Sequence, residues 1–213
     1  MELNENFNLP IVVYGKSGNG KTYLMKSIAE SYTNNGKNAL ILNADDFIAH
    51  LIGYLSKKES PLERFWQKFS DVDLVIFEDI QFLEFKTSTQ MLLSDLIEKL
   101  LAEGKQVLCT MNRSPKKLEC FDKKLETKLA NATRIHILPP SKSIKKKLLK
   151  QWCKENNLTI QKKHQKKICK HAKSTGELFG FLKQYQFYRE YDEFVSNKKI
   201  IKTILKKRKM VEE

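Results

Sequence analysis

Apolar residues in the first two thirds of the chain fall into short continuous runs, and segments with helical spacing lie between them. The runs predict strands at Ile11–Tyr14, Ala39–Leu42, Asp73–Phe77, Gln106–Thr110 and Thr133–Leu138. The segments between them predict helices at 21–33, 45–55, 60–69, 88–103 and 122–130. Strands that alternate with helices of about ten residues favour a parallel sheet with helices on both faces. The pattern therefore predicts an α/β domain over residues 1–139.

The pattern changes after Pro139-Pro140. Two prolines interrupt regular structure, and Ser141 or Ser143 can cap a new helix. Beyond them the apolar residues have helical spacing, which predicts helices at 143–155, 161–173, 176–191 and 197–209. We therefore expect a second, small all-helical domain over residues 140–213.

A glycine-rich loop joins the first predicted strand to the first predicted helix and reads G-x-x-x-x-G-K-T. Its residues are Gly15, Lys16, Ser17, Gly18, Asn19, Gly20, Lys21 and Thr22. Glycines let the backbone wrap round a polyphosphate, and amide N–H groups at a helix N-terminus point at the anion. Lys21 can reach the β- and γ-phosphates, and the Thr22 hydroxyl can ligate Mg²⁺. Since the motif needs a strand before it and a helix after it, we interpret this loop as a site for ATP or ADP with Mg²⁺ rather than a chance turn.

The third predicted strand is followed by two carboxylates, Glu78 and Asp79. In a P-loop ATPase, one carboxylate at this place holds Mg²⁺ through water and the next polarises the attacking water. We assign the metal position to Glu78 and the catalytic, water-activating position to Asp79. Glu78 stands where aspartate is usual, and Asp79 is a short acid for the catalytic position. Each carboxylate is therefore displaced by about one methylene group. Displacements of this size can slow a reaction by orders of magnitude. The sequence therefore supports nucleotide binding more strongly than turnover.

A polar residue, Asn112, lies just past the fourth predicted strand. If that strand lies between the P-loop strand and the acidic strand, Asn112 can contact the γ-phosphate or the attacking water, which makes it a second catalytic candidate. An asparagine in a turn before Ser114-Pro115 is an equally good explanation.

The net charge of +14 is unevenly placed along the chain. Residues 1–140 contain 18 Lys and Arg against 18 Asp and Glu, whereas residues 141–213 contain 21 against 7, so the whole excess lies in the C-terminal third. A positive block of this kind attracts polyanions such as nucleic acid or acidic proteins. A solvated lysine-rich face is the other interpretation, and composition alone does not separate the two.

Composition also argues against several classes of protein. No apolar run approaches the roughly 18 residues that a membrane span needs, and the short polar N-terminus does not resemble a signal peptide. The four cysteines lack C-x-x-C spacing, which predicts reduced thiols rather than a metal site or a disulfide framework. We therefore expect a cytoplasmic protein.

Several short segments share their order and spacing with one known family. They are Glu78–Leu83, Gly104–Leu108, Asn112–Leu118, Ile137–Pro140 and Gly176–Gly180. Together with the P-loop they resemble the AAA+ module of the DnaA/Hda family of bacterial replication proteins, over most of the chain. The resemblance implies a P-loop AAA+ fold, in which a three-layer α/β sandwich with a parallel sheet is followed by a small helical lid. It also implies ATP binding and a role in replication initiation or its regulation.

The chain departs from the family at positions that contact phosphates. Gly176 stands where the family's lid carries an arginine, and Lys124 and Lys128 stand where arginines reach the nucleotide of a neighbouring subunit. Lysine keeps the charge but loses the planar fork that bridges phosphate oxygens. Because an arginine finger can contribute about 10³–10⁵ in rate, the resemblance here implies weak or partner-stimulated hydrolysis and weak nucleotide-dependent self-association.

The layout resembles Hda more than full DnaA, since we expect no DNA-binding domain after the lid. Hda-like members carry a short clamp-binding peptide, and the nearest counterpart here is Asn6–Pro10. This segment lacks the glutamine of that peptide and runs straight into the first strand, so we interpret it as a lead-in to the strand.

Three functions remain open at this point. A DnaA/Hda-like ATP-binding regulator would dock on DnaA or another replication protein, with Lys123–Leu129 in the contact. A helicase-loader or transposition-helper type of AAA+ ATPase would hold single-stranded DNA on its basic C-terminal third. An interaction module would keep the nucleotide as a structural element. The segment Glu78–Leu83 favours the first function, and the charge distribution suits the second.

Overall fold

The computed structural model describes residues 9–55, 65–191 and 196–211 of the 213-residue chain. Contacts divide the chain into two compact units. The α/β unit comprises residues 1–16 and 21–137, and the helical unit comprises residues 17–20 and 138–213. The division thus falls after residue 137, whereas the sequence predicts a boundary after residue 139. The middle of the glycine-rich loop, residues 17–20, is grouped with the helical unit.

The α/β unit contains a five-stranded parallel sheet with the order β2-β3-β4-β1-β5. The strands are β1 (Ile11–Tyr14), β2 (Ala39–Asn43), β3 (Leu74–Glu78), β4 (Gln106–Met111) and β5 (Thr133–His136). The helices are α1 (Lys21–Asn34), α2 (Ala44–Leu55), α3 (Thr87–Ala102) and α4 (Lys123–Asn131). The predicted parallel α/β architecture is confirmed. Of the predicted helix at 60–69, residues 65–67 are helical and residues 60–64 lie outside the described part.

Strand β3 shows why these residues form the centre of the sheet. All of its residues are buried, and successive side chains of a strand point to opposite faces. Val75 and Phe77 therefore join one hydrophobic cluster, whereas Leu74 and Ile76 join the cluster on the other face. Helices cover both faces of a sheet built in this way, as the continuous apolar run predicts.

Strand β5 lies at one edge of the sheet and differs from the other strands in its exposure. All of its residues are exposed, and it ends at His136 rather than at Leu138 as predicted. The Ile137 amide still donates to the Tyr14 carbonyl oxygen at 2.8 Å. The ladder therefore extends slightly past the strand although its side chains are not buried.

The helical unit consists of α5 (Lys142–Glu155), α6 (Lys162–His171), α7 (Thr175–Tyr191) and α8 (Asn197–Val211). The Ser141 hydroxyl accepts the Ile144 amide at 3.3 Å and caps α5, which confirms the predicted helix start. Each helix contributes a fully buried aliphatic side chain to a separate hydrophobic core, namely Leu149, Ile168, Leu182 and Ile204.

The cysteines are free thiols: Cys109, Cys153 and Cys169 are buried, and Cys120 is exposed. Burial raises the pKa of the Cys109 thiol to about 12. Within the described residues, no cluster of His, Cys, Asp and Glu could hold a metal ion, and no helix has the length and apolar character to cross a membrane.

Candidate functional site

The two carboxylates lie at the C-terminal end of strand β3, as the sequence indicates. Glu78 is the last residue of the strand and is 8% exposed. Asp79 follows it with φ 55° and ψ 45°, a left-handed conformation that is uncommon for a residue with a side chain. The Asp79 amide donates to the Thr110 hydroxyl at 2.9 Å, which fixes this turn to the neighbouring strand β4. Strain of this kind often marks a functional site.

Gln81 joins the ends of β3 and β4 and was not identified from the sequence. Its side-chain amide donates to the Asp79 carboxylate at 3.1 Å, and its carbonyl oxygen accepts the Asn112 backbone N–H at 3.2 Å. Gln81 is 5% exposed, and both hydrogen bonds are partly buried. The signal in the sequence is a polar residue within the otherwise apolar segment Ile80–Leu83.

Two oxygen atoms at these strand ends have no hydrogen-bond partner among the described residues. They are Glu78 Oε1 and Asn112 Oδ1, and both atoms are buried. Strand β4 lies between β1 and β3, which is the position that the functional interpretation of Asn112 requires. An unpaired buried acceptor costs about 1–3 kcal/mol, so these atoms point to a cation or a donor that binds there.

Lys21 is the first residue of α1 and is 6% exposed. Its ammonium group donates to the Gly15 carbonyl oxygen at 2.8 Å and to the Lys16 carbonyl oxygen at 3.4 Å. Burial lowers the pKa of Lys21, and the negative charges of Asp79 and Glu78 oppose that decrease. The fold therefore brings the loop lysine and the two strand-end carboxylates into electrostatic contact.

The glycines of the loop have specific backbone roles. A Cβ atom on Gly15 would overlap the Ile137 carbonyl oxygen, so this position accepts no side chain. Gly20 adopts φ +100°, which side chains disfavour. Thr22 follows in the first turn of α1 and is exposed. Within the loop, Ser17, Gly18, Asn19 and Gly20 are grouped with the helical unit.

Gly176 lies in the helical unit, in the first turn of α7. Its amide donates to the Gly18 carbonyl oxygen at 2.8 Å. A Cβ atom on Gly176 would lie 3.2 Å from Gly18 Cα, which is tighter than ordinary van der Waals contact. The glycine at this position therefore permits a close approach of two backbone segments within the unit.

The family model for the bacterial DnaA ATPase domain matches residues 2–136. The chain belongs to the bacterial DnaA ATPase-domain family. The predicted DnaA-like AAA+ module is thereby confirmed.

Individual relatives agree with this assignment. The chromosomal replication initiator DnaA of Sulfurimonas denitrificans is 29% identical over 153 residues, which cover 72% of this chain and 35% of the relative. Domain III of Thermotoga maritima DnaA superposes with a TM-score of 0.86 at 24% identity, covering 96% of this chain and 85% of that one. A DnaA bound to AMPPCP and single-stranded DNA superposes with a TM-score of 0.75 at 26% identity, covering 85% of this chain and 56% of that one. The chain thus spans about a third of the length of the curated DnaA relative.

In this DnaA-family chain, Lys124 and Lys128, which the sequence analysis predicts to occupy arginine-finger-like positions, lie on α4 and pair with α3. Lys124 Nζ lies 2.8 Å from Asp95 Oδ1 and 3.1 Å from Glu98 Oε2, and Lys128 Nζ lies 2.9 Å from Glu98 Oε2. Hydrogen bonds to Asp95 and Glu98 raise the pKa of Lys124, and hydrogen bonds from Lys128 and Lys124 lower the pKa of Glu98. Both lysines therefore form ion pairs within their own unit, an arrangement that the sequence did not predict.

Proposed function

We propose that this chain binds ATP or ADP with Mg²⁺ through its P-loop and acts in the initiation of chromosomal DNA replication or its regulation. The observation that carries the proposal is the buried Lys21 ammonium, which donates to the Gly15 carbonyl oxygen and feels the negative charges of Glu78 and Asp79, at the end of a glycine loop that accepts no side chain at Gly15. Membership of the DnaA ATPase-domain family supports it. So does the AMPPCP bound by a DnaA of similar fold.

The residues present fit a nucleotide with its metal. Lys21 and the loop amides from Gly15 to Thr22 would hold the phosphates, and Thr22 with Glu78 would hold Mg²⁺, which prefers oxygen ligands. The unpaired oxygens Glu78 Oε1 and Asn112 Oδ1 are acceptors of the kind that a hydrated cation satisfies. When bound, the metal would neutralise phosphate charge.

Asp79 and Asn112 are the groups that we propose for hydrolysis. Asp79 would orient and polarise the attacking water, and Asn112 would contact the γ-phosphate or that water. Gln81 holds both positions through its two hydrogen bonds. Because Gly176 and the lysines on α4 replace arginines, we expect slow hydrolysis that a partner stimulates.

The same lysines belong to the proposed docking surface on DnaA or another replication protein. Lys123–Leu129 forms most of α4, and two of its lysines, Lys124 and Lys128, pair with the exposed carboxylates of α3. Exposed ion pairs contribute little to stability, so a partner can rearrange them at small cost. We also propose that the chain self-associates through this surface in a nucleotide-dependent way. Its proposed location is the bacterial cytoplasm.

The excess charge favours a second candidate, a helicase-loader or transposition-helper type of AAA+ ATPase. Residues 141–213 hold 21 basic against 7 acidic residues, and this excess would attract single-stranded DNA. The first candidate predicts binding to a replication protein, and the second predicts binding to DNA without one.

Titration with labelled ATP and ADP, beside a steady-state hydrolysis assay, tests the nucleotide site. Wild type should bind in a Mg²⁺-dependent way, and Lys21→Ala should weaken binding by about 100-fold or more because the buried charge facing the phosphates is lost. The matched control is Lys26→Ala, which removes an exposed lysine from the same helix and should bind as wild type does. Absence of binding by wild type would refute the proposal, and brisk turnover by the isolated chain would refute the expected dependence on a partner.

A further inference from the structure

The glycine-rich loop caps the start of α7. The Ser174 hydroxyl accepts the Glu177 N–H at 3.1 Å, as an N-terminal capping residue does. Gly176 lies in the first turn of the helix, where backbone N–H groups have no partner inside the helix. Its N–H donates instead to the Gly18 carbonyl oxygen at 2.8 Å. The loop therefore completes the cap of α7 with a backbone oxygen rather than with a side chain.

Two glycines meet at this contact, and neither accepts a Cβ atom without displacing the other segment. A Cβ atom on Gly18 would lie 2.8 Å from Ser174 Oγ, and its φ of +80° also disfavours a side chain. A Cβ atom on Gly176 would lie 3.2 Å from Gly18 Cα. Glycine in a helix costs about 0.5–1 kcal/mol relative to alanine. The close approach of the loop gives a physical reason for a glycine at position 176.

The turn before α7 is held in place within the helical unit. Lys145 on α5 is 8% exposed, and its ammonium group donates to the Ala172 carbonyl oxygen at 2.7 Å. The Lys173 N–H donates to the Glu177 carboxylate at 2.8 Å. Because the turn is tied both to α5 and to α7, it does not follow the loop freely. A change in the loop therefore alters the hydrogen bond from Gly176.

The position of the contact along the loop determines which phosphate it can report. Backbone N–H groups of a P-loop surround the α- and β-phosphates, and the loop lysine reaches the β- and γ-phosphates. Gly18 lies in the middle of the loop. Lys21 and Asn112, the groups that we propose for the γ-phosphate, are not part of the contact with α7.

We propose that the contact between Gly18 and Gly176 couples α7 to occupation of the β-phosphate position, so that the helical unit responds to ADP and ATP alike. This inference rests on the proposed nucleotide site and adds a regulatory property to it. A ligand shifts an equilibrium only through its differential interaction with the two states. ADP and ATP fill the β-phosphate position equally, and glycine has no side chain that could contact the γ-phosphate.

Hydrogen exchange of the Gly176 amide tests the coupling directly, because this N–H is the donor in the contact. The chain contains eight glycines, so isotopic labelling of glycine alone gives a simple amide spectrum. A bound polyphosphate fixes the loop. Saturating ADP and saturating AMPPCP should therefore each slow exchange at Gly176 by about 5- to 150-fold, as is typical of coupling between two sites. AMP at the same concentration should not slow it, because AMP has no β-phosphate.

The Gly104 amide is the internal control. It donates to the Leu101 carbonyl oxygen at 3.0 Å in the turn after α3, so it is also bonded to a backbone oxygen. Its exchange rate should be the same with and without nucleotide. Equal slowing at Gly104 and Gly176 would show a general stabilisation of the protein and would overturn the specific coupling.

Gly176→Ala separates the contact from helix formation. Since coupling between two sites is reciprocal, this substitution should weaken binding of ADP and AMPPCP by the same factor, at least about fivefold. Alanine favours the helix more than glycine does, so the helical circular dichroism signal should not decrease. The matched control is Gly53→Ala on α2, where a Cβ atom would meet no other atom within 4 Å. It should bind both nucleotides as wild type does.

Gly176→Arg introduces the side chain that the family resemblance implies at this position. Because its Cβ atom displaces the loop, it should weaken binding of both nucleotides at least as much as Gly176→Ala does. Tighter binding of AMPPCP with unchanged binding of ADP would overturn the inference. That result would show that a side chain fits beside the loop and reaches the γ-phosphate.

The nucleotide titration of wild type distinguishes failure of the coupling from failure of the site. Slowing of Gly176 exchange by AMPPCP but not by ADP would overturn the inference, and so would an unchanged rate in a protein that binds ADP. Wild-type affinity in Gly176→Ala would overturn it as well. Failure of wild type to bind either nucleotide would refute the proposed site, and the coupling with it.

Discussion

The two units of the molecule use charge in opposite ways. The first 140 residues hold equal numbers of acidic and basic side chains, and the important charges, Lys21 and Glu78, are buried at defined positions. The last 73 residues hold 21 basic against 7 acidic side chains, and most of the described lysines among them are exposed. A few buried groups suit a ligand of fixed shape, whereas many exposed charges suit a long flexible polyanion. The net charge of +14 therefore belongs to the C-terminal part of the chain and does not describe the first 140 residues.

The two units have separate hydrophobic cores, and a cavity in either core should give the largest change in stability. Leu96 on α3 and Leu182 on α7 are both fully or almost fully buried, each in the core of its own unit. Leucine-to-alanine substitution at either site should cost about 2–5 kcal/mol, because it leaves a cavity. Hydrogen exchange followed by mass spectrometry should show lost protection in the unit that carries the substitution. Equal loss in both units would show that the cores unfold together.

A smaller effect distinguishes a buried glutamine from an exposed one. Gln81→Leu removes both partly buried hydrogen bonds between the strand ends, so denaturant unfolding should show a total loss of about 1–3 kcal/mol. It should also slow any partner-stimulated hydrolysis more than it weakens ATP binding, because Asp79 loses its orientation. Gln184→Leu, on the exposed face of α7, should stay within about 0.5 kcal/mol of wild type. Equal effects of the two substitutions would contradict the bridging role of Gln81.

The smallest effect is a pH dependence in the helical unit. Burial lowers the pKa of His164, and the positive charges of Lys163, Lys167 and Lys198 lower it further. The unfolded chain therefore takes up this proton more readily than the folded chain does. The contribution to stability is complete above the ordinary pKa of 6.5 and is lost as the pH falls through the folded-state pKa.

Thermal melts between about pH 7.5 and about pH 5.5 should show this loss as a lower midpoint at acidic pH. In His164→Gln the midpoint should decrease less, because this histidine no longer takes up a proton. Some decrease should remain, since the other histidines and the carboxylates still titrate. An identical pH profile in the variant would exclude His164 as a source of the dependence.

Much of the sheet could be predicted because its strands are buried. Strands β1 to β4 begin and end within a residue of the predicted positions. A short continuous apolar run is typical of a strand that is covered on both faces of a parallel sheet. The C-terminal end of strand β5 was predicted less accurately, because its side chains are exposed and hydrophobic patterning does not mark where such a strand ends. Edge position alone does not decide that exposure, since β2 lies at the other edge and most of its residues are half-buried.

The candidate site was predictable where it is local and not where it joins distant segments. The residues of the glycine-rich loop are contiguous in sequence, and so are Glu78 and Asp79. The spacing within each segment therefore indicates its chemistry, although the residues' roles stay predictions. The bridge from Gln81 to Asn112 spans 31 residues, and the ion pairs from Lys124 and Lys128 span 29 and 30. Contacts at such separations depend on strand order and helix packing, which a pattern of residue types does not contain.

The exposed Cys120 has a practical consequence for every experiment on self-association. Its thiol lies at the surface at a residue with φ 56°, whereas Cys109, Cys153 and Cys169 are buried. During storage in air, two molecules can become linked through their Cys120 sulfur atoms, and a sizing column would then report a dimer that ignores nucleotide and salt. Fresh reductant, or a Cys120→Ser background, separates this artefact of handling from assembly that belongs to the protein.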